Sequence, residues 1–518
     1  MDLDVLPPEL TWNILENLTD LKDRKNASLV CKAWNRMLFN SSKSLRNVRV
    51  RFCLRPTALD GLEPNEILDR MFEVMFRSKR NYVTVEFFHI NFERLLARDF
   101  LFFVVQLCCD TIECVRFTNC YGLKRSELWQ LLSLLGNLRE LVVSGGIKYD
   151  ELDQEVVKLP LLEKLTLDIG DDCRLYRDFP SQAPNLKCFS VRTIYGCADL
   201  RDVTITRSFS HQLNSLSFST NRSYNYSEFS EMNFTNLTKL DLKVSGSLWP
   251  QLFKQTKLIQ SLKLEANIND DIIATICTTC TKIKTLTLFC SNLIESIKFN
   301  MLTRLENLEQ LSVRGIHKFS WRHISFPKLK SLHLDNVGND FTNFLKDLKA
   351  LESLEIHDTK LRNEQLIKIT LNAPTVRRLE LAFCTKISDK GFKHLSDMVG
   401  LEELRLWAIQ VSKTIDERLL CPRLRKIILY FNDNIEDCTL EGLAKRIPQL
   451  QQLVLYDCYR MSPQGVVKLR QVLPNCHVLE LYRGDELPPV LSGETQIYYR
   501  NAEYPNGVLK QELPFQWF

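Results

Sequence analysis

The chain has no long hydrophobic run. Its greasiest window, Phe100 to Cys109, falls far short of the roughly 20 apolar residues that a membrane span requires. The first residues, MDLDVLPPEL, carry acid where a secretory leader needs basic charge, and no apolar stretch of about 7–15 residues follows them. The expectation is a chain kept out of membranes and of the secretory pathway, working in the cytoplasm, the nucleus or both. Charge of one sign is also lacking. There are 68 Lys+Arg against 63 Asp+Glu, and a formal excess of +5 is too small to imply a nucleic acid or an anionic surface as partner. A Gly-rich phosphate loop, a G-x-S-x-G elbow and an H-E-x-x-H helix are all absent, so neither catalysis nor a cofactor is expected.

Cysteine is plentiful, but the arrangement that a disulfide or metal framework needs is missing. The 17 cysteines are odd in number, and several fall where a small buried hydrophobe is wanted, which fits a reducing compartment. Cys277-x-x-Cys280 has no second pair or histidines at ligand spacing beside it. Packing is therefore favoured over zinc, and no metal is expected.

What the chain does have is a rhythm. L-x-x-L-x-L, with conservative swaps, recurs every 21 to 27 residues from Ile112 through Leu138, Leu162, Leu186, Leu213, Leu237, Ile259, Ile283, Leu308, Leu329, Leu351, Val376, Leu401, Leu424 and Leu450 to a weak copy at Cys476. Two looser copies precede these, at Leu45-Val48-Val50 and Tyr82-Val85-Phe87. Such regular spacing marks a solenoid of leucine-rich repeats, each a short strand followed by a helical or irregular return. The fold class expected is thus α/β, a curved solenoid with parallel strands on its concave face. It offers one long surface and no enclosed pocket, which suits a binding protein.

The first forty residues keep a different rhythm. Leu10, Ile14, Leu15 and Leu18 make one apolar helix face behind Pro7-Pro8-Glu9, and a second apolar run follows at Leu29, Val30, Ala33, Trp34 and Met37. Helices this short cannot bury enough surface to be stable alone, so the segment needs a partner. LPPELTWNILENLTDLKDRKNASLVCKAWNRM resembles the F-box, through Leu6, Pro7, Glu9, Leu10, Ile14, Leu15, Leu18, Ala27, Ser28, Leu29, Val30, Cys31, Lys32 and Trp34. Asp23 is followed by Arg24-Lys25 where that family often has two leucines. The resemblance implies a small three-helix segment that docks on a Skp-family adaptor, and through it on a cullin and a RING subunit. The rest of the chain would then hold a protein substrate for ubiquitination. Leu6, Pro7, Glu9, Leu10, Ile14, Leu15, Leu18, Leu29, Val30, Cys31, Lys32 and Trp34 become the expected adaptor contacts. The alternative is a plain repeat scaffold whose N-terminal helices only cap the first repeat. Residues 1–44 are assigned to the F-box, 45–111 to divergent first repeats, 112–484 to regular repeats and 485–518 to a tail.

The repeats divide by type. Those at Val376, with Cys384, Ile387, Ser388, Asp389 and Gly391, and at Leu450, with Cys458, Ser462 and Gly465, resemble the cysteine-containing repeats of F-box proteins. Ser388 and Ser462 stand where an N-cap would open a true helix. The returns between Leu162 and Leu242 lack this order and are expected to be irregular.

Alternation along a strand puts positions 3, 5 and 7 of each motif on the concave face. Position 7 is small or charged in most repeats but is Trp407, Tyr430, Tyr456 and Tyr482 in the last four, with Phe383 and Phe431 one position after it in their own repeats. This predicts an aromatic ladder open to one of three uses: anchoring a partner, receiving the tail that ends in Leu513-Pro514-Phe515-Gln516-Trp517-Phe518, or stacking for rigidity. An acidic group, Asp335, Glu355, Asp358 and Glu380, precedes it, with His333 and His357 among the carboxylates. An open sheet face shifts pKa values little, so these residues are read as a polar binding patch. Together the rings and the acids are the expected substrate-binding residues.

Overall fold

The computed structural model describes Leu15, Ala27, Val30, Trp34 and Met37 and the stretches 49–53, 64–77, 82–148, 150, 157–169, 182–193, 210–220, 232–248, 250–290, 299–315, 324–336, 339–357, 360–409, 421–432, 434–458 and 460–481. The chain forms two compact units, residues 1–329 and 330–518.

In the first unit the strands are β1 (Arg49–Cys53), β2 (Thr84–Phe88), β3 (Cys114–Lys124), β4 (Glu140–Lys148), β5 (Lys164–Ile169), β6 (Cys188–Thr193), β7 (Ser215–Thr220), β8 (Lys239–Ser247), β9 (Ser261–Asn267), β10 (Thr285–Cys290) and β11 (Gln310–Arg314). Each pairs in parallel with the next. Helices α1 (Pro64–Arg77), α2 (Leu95–Cys108), α3 (Arg125–Ser133), α4 (Pro250–Gln255) and α5 (Asp270–Thr279) lie in the returns. The second unit repeats the plan with parallel strands β12 (Ser331–Asp335), β13 (Ser353–His357), β14 (Arg378–Ala382), β15 (Glu403–Trp407), β16 (Lys426–Tyr430), β17 (Gln452–Tyr456) and β18 (His477–Leu481). Its returns hold α6 (Asn363–Asn372), α7 (Asp389–Phe392), α8 (Asp437–Arg446) and α9 (Pro463–Val472). This is the leucine-rich repeat architecture, and the motif leucines build it. Leu141 and Val143, Leu165 and Leu167, and Leu404 and Leu406 are buried at positions 4 and 6, with Leu138, Leu162 and Leu401 buried at position 1. Burying a side chain of this kind is worth about 1.5–3 kcal/mol against leaving it in water, and no repeat achieves it without a neighbour.

Two hydrogen-bond ladders hold neighbouring repeats in register. At most strand entries one carbonyl accepts from two successive amides of the next repeat, as Glu113 accepts from Arg139 and Glu140, and Arg377 from Glu402 and Glu403. In the turn before it, the side-chain amides of Asn137, Asn185, Asn236 and Asn307 donate to carbonyls of the preceding turn, as Gln449 does to Cys421. Position 9 closes the strand exit. The Sγ of Cys384 and of Cys458 donates back to backbone carbonyls on its own and the preceding strand, and Asn432 Nδ2 does the same to Leu406 and Tyr430. These cysteines are hydrogen-bonded core residues.

Some expectations need correction. Val50 pairs with Val85 and Phe52 with Phe87, so β1 sits two residues later than the Leu45-Val48-Val50 motif suggests. The reason is aromatic: Phe52, Phe87 and Phe117 stack at 5.5 and 5.4 Å, which Val48 and Val50 could not match. Ser462 does cap α9, accepting from the Gly465 amide at 3.0 Å. Ser388 does not cap α7: its hydroxyl accepts from Asn363 Nδ2 of the preceding return, and the α-helix lasts one turn before passing into 3-10 geometry at Lys393–Asp397. The returns between β5 and β8, expected to be irregular, lie largely outside the described residues.

Candidate functional site

The open face of β12–β17 is where the expected binding residues come together. Strand pairing aligns three rows along it. Ser331, Ser353, Arg378, Glu403, Lys426 and Gln452 form the first, and His333, Glu355, Glu380, Arg405, Ile428 and Val454 the second. Asp335, His357, Ala382, Trp407, Tyr430 and Tyr456 form the third. The second row changes character after β15: charged and hydrogen-bonding groups as far as Arg405, then apolar Ile428 and Val454.

The polar half is a connected network. His333 Nδ1 lies 3.2 Å from Glu355 Oε2, and His357 Nε2 lies 3.0 Å from Glu380 Oε1, each bond joining one strand to the next. The two imidazole centroids are 4.6 Å apart. Arg405 continues the chain, with Nη1 3.6 Å from Glu380 Oε2 and Nε donating to Glu403 at 2.7 Å, and Lys426 adds a second cation to Glu403 at 3.2 Å. Burial opposes charge throughout, and the partners outweigh it. Burial would push the Glu355 carboxyl up, yet the hydrogen bond and charge of His333 hold it below its ordinary value. His357 is raised above the ordinary imidazole value, because Glu380, Asp335 and Glu355 together overcome the burial that favours its neutral form. The expectation of an unperturbed open face is therefore wrong here, since packed neighbouring side chains desolvate the row. Asp358 lies outside the described residues.

The aromatic half departs further from expectation. Trp407, Tyr430 and Tyr456 occupy one row, but they are only 6%, 3% and 9% exposed and form a cluster with Ala382, Ile428 and Val454. Trp407 and Tyr430 stack at 3.4 Å, and Tyr456 continues the row at 5.7 Å. The rings satisfy each other, because strand spacing of about 4.8 Å brings flat side chains into contact along a row. Ile428 and Val454, missed by the sequence reading, put apolar groups in the middle row, so β16 and β17 are buried on both faces. A run such as Ile427-Ile428-Leu429 signals this, since a strand with one wet face alternates. Phe431 packs edge-on against Tyr456, while Phe383 remains 40% exposed. Phe383 takes a left-handed φ of 56° and donates its amide to the Trp407 carbonyl. Leu481 stands opposite Tyr456 in the strand register, the place the spacing had given to Tyr482, which lies outside the described residues. The sequence Val478-Leu479-Glu480-Leu481 offers two apolar sets one residue apart, and β18 buries Val478 while turning Leu479 to the ring cluster.

At the N-terminus, Leu15 is 2% exposed and clusters with Ala27, with Trp34 and Met37 packed against them. Leu15 is thus packed inside the segment, with Trp34 partly buried against the same cluster. Val30 is 59% exposed and free to meet a partner. Leu6, Pro7, Glu9, Leu10, Ile14, Leu18, Leu29, Cys31 and Lys32 lie outside the described residues.

Residues 3–45 match the F-box-like family model. The chain carries an F-box-like segment joined to leucine-rich repeats. F-box/LRR-repeat protein 4 of Bos taurus is 27% identical over 173 residues, covering 32% of this chain and 27% of that protein. BTB/POZ domain-containing protein FBL11 of Arabidopsis thaliana is 26% identical over 184 residues, covering 33% of this chain and 19% of that protein. The chain thus aligns with well under a third of either relative's length. Similar solved structures include that of the Rad7 and Elc1 complex in yeast, at 15% identity and TM-score 0.39, covering 61% of this chain and 80% of that one. The Leptospira interrogans LRR protein LIC12759 matches at 18% identity and TM-score 0.33, covering 72% and 91%.

Elsewhere, Cys277 and Cys280 are buried at the end of α5, and burial pushes their thiols up to about 12 and about 11. Cys280 Sγ donates towards the Phe253 carbonyl at 3.7 Å. Among the described residues no helix is long and apolar enough to cross a membrane.

Proposed function

We propose that this protein is the substrate-recognition subunit of an SCF-type cullin-RING ubiquitin ligase, working in the cytoplasm or nucleus. The F-box-like match at residues 3–45, joined to leucine-rich repeats, is the observation that carries this reading. The N-terminal segment would dock on a Skp-family adaptor. The internal cluster of Leu15, Ala27, Trp34 and Met37 supports a docking segment with a small core of its own over a cap whose apolar side chains are spent on the first repeat. The chain itself would be no catalyst. It would contribute by raising the effective concentration of substrate near the charged ubiquitin-conjugating enzyme.

Substrate would lie on the open face of the second unit. With Trp407, Tyr430 and Tyr456 engaged with one another, the contacts fall to Phe383, 40% exposed, and to the partly exposed polar groups of His333, Asp335 and Glu355. A partner presenting a basic patch beside an apolar prominence matches both, and the charges would set its orientation more than its affinity. Affinity capture of the full chain, with and without Leu6→Ala and Pro7→Ala together, tests the assignment. Adaptor and cullin should co-purify with the parent chain and be lost from the double variant, with the repeats still folded by circular dichroism. Adaptor retained by the variant, or never captured by the parent chain, would overturn it.

A further inference from the structure

We propose that His333, Asp335 and His357 form a binding site for one divalent transition-metal ion, of the zinc or nickel type, on the face of β12 and β13. One ligand atom from each of the three lies within 4.8 Å of the other two. Atoms in a tetrahedral shell around zinc, bound at about 2.0–2.1 Å, stand roughly 3.4 Å apart, so the rings must rotate inward by a small amount to close on an ion. The strand pairing makes this a local matter. Asp335 and His357 are register partners, and His333 is two residues along β12 on the same face.

The second feature is how the rings are held. A metal-bound histidine gives one nitrogen to the ion and usually donates its other N–H to a carboxylate or carbonyl, which fixes the tautomer and aims the ring. Both histidines have such a carboxylate already. His333 is held through Nδ1 by Glu355, and His357 through Nε2 by Glu380. The nitrogens left over are His333 Nε2 and His357 Nδ1, one from each of two rings whose centroids are 4.6 Å apart. His333 Nε2 is buried without a hydrogen-bond partner among the described residues. A buried ring nitrogen left without a partner is unfavourable, and a metal ion would satisfy it.

Charge favours the same occupant. Asp335, Glu355 and Glu380 bring three carboxylates to two imidazoles, and Arg405 approaches Glu380 from the β15 side, where Glu403 also holds it. Two imidazoles and one carboxylate suit a borderline ion better than calcium or magnesium, which prefer all-oxygen shells. Three protein ligands, with the two histidine side chains 25% and 22% exposed, leave a fourth site for water or for a side chain of a bound partner. Binding of the ion needs neither adaptor nor substrate, so the inference stands or falls apart from the receptor reading.

The test is isothermal titration of zinc chloride, then nickel chloride, into chelator-stripped full-length protein. Because the chain has many thiols, the titration is paired with cobalt(II) absorption spectroscopy, which separates nitrogen and oxygen ligation from thiolate ligation. One equivalent per chain should bind with a nitrogen and oxygen spectrum. His333→Asn and His357→Asn should each abolish it, and Glu380→Gln should weaken it by about 10–100-fold through loss of ring positioning. Circular dichroism checks that each variant is folded, and the cobalt spectrum of the parent chain decides the ligand type even where a variant is not. Absence of binding by the parent chain, a thiolate spectrum at one equivalent, or unchanged binding by folded histidine variants would each overturn the site.

Discussion

Trp407 and Tyr430 stack face to face on adjacent strands, with centroids 3.4 Å apart and planes inclined by 11°. The pair is the middle of a row that includes Tyr456, and it ties β15 to β16 by side chains as well as by the parallel ladder. Such contacts exceed plain area burial by about 0.5–1.5 kcal/mol. Trp407 Nε1 is buried without a hydrogen-bond partner among the described residues, so the ring is kept for its area and not for its donor.

Trp407→Ala should therefore destabilise the second unit by about 3–5 kcal/mol, the usual cost of emptying a large aromatic site. Trp407→Phe keeps a stacking ring and removes the unpaired N–H, so it should fall within about 1.5 kcal/mol of the parent chain. Thermal unfolding of the two variants measures the difference. Equal losses would mean that the indole N–H has a partner in solution and that the row is not held by stacking.

Position 9 gives a second ranking. Asn432 is buried, donates to the carbonyls of Leu406 and Tyr430, and accepts from the Ile409 amide at 3.3 Å. Asn432→Ala strands all three backbone groups and should cost about 2–4 kcal/mol. Cys458→Ala removes one weak S–H donor and should cost about 1 kcal/mol. Asn432→Cys, which places in this repeat the residue found at the same position in those of Cys384 and Cys458, should fall between them in melting temperature.

At the N-terminus, burial separates structure from docking. Leu15→Ala removes the buried member of the Leu15, Ala27, Trp34 and Met37 cluster and should cost the segment about 2–5 kcal/mol. Val30→Glu places a charge on an exposed side chain, so it should leave folding intact while reducing adaptor capture severalfold. Pull-down with purified adaptor beside limited proteolysis distinguishes the two. An unfolded Val30→Glu segment would show that Val30 faces inward.

The repeat motif predicted this fold because its period and its alternation are both one-dimensional signals. Leu404 and Leu406 point inward because a strand alternates, and that is legible without knowing any neighbour. The fate of the other face was not legible in the same way. Whether Trp407 meets water depends on Tyr430 and Ile428, more than twenty residues away in sequence, and on a middle row that turns apolar at β16. The acidic residues are legible as a group in the sequence, but Glu380 pairs with His357 and Arg405 across strands, and residue type alone does not assign such partners. Register at the ends was the weakest point. Phe52 and Leu479 each drew a terminal strand to an aromatic contact that the motif spacing does not encode.

Glu403 provides a pH test of the charged row away from the histidines. Burial would raise its carboxyl, but Arg405 and Lys426 act against that by charge and hydrogen bonds, and the group is held below its ordinary 4.5. A carboxyl with a depressed folded pKa stabilises the fold fully above the unfolded value, and that stabilisation is lost as the pH falls through the folded value. Glu403→Gln keeps the shape and removes the charge, leaving Arg405 and Lys426 with one fewer counter-ion at 2.7 and 3.2 Å. Near neutral pH the variant should be less stable by about 1–3 kcal/mol, as expected for hydrogen bonds to a charged group. The deficit should stay constant down to about pH 5 and shrink below 4.5, where the carboxyl of the unfolded parent chain takes up its proton while the folded one still resists. Unfolding of both proteins by urea across this range measures it. A deficit that does not change with pH would mean that Glu403 contributes by packing and not by charge.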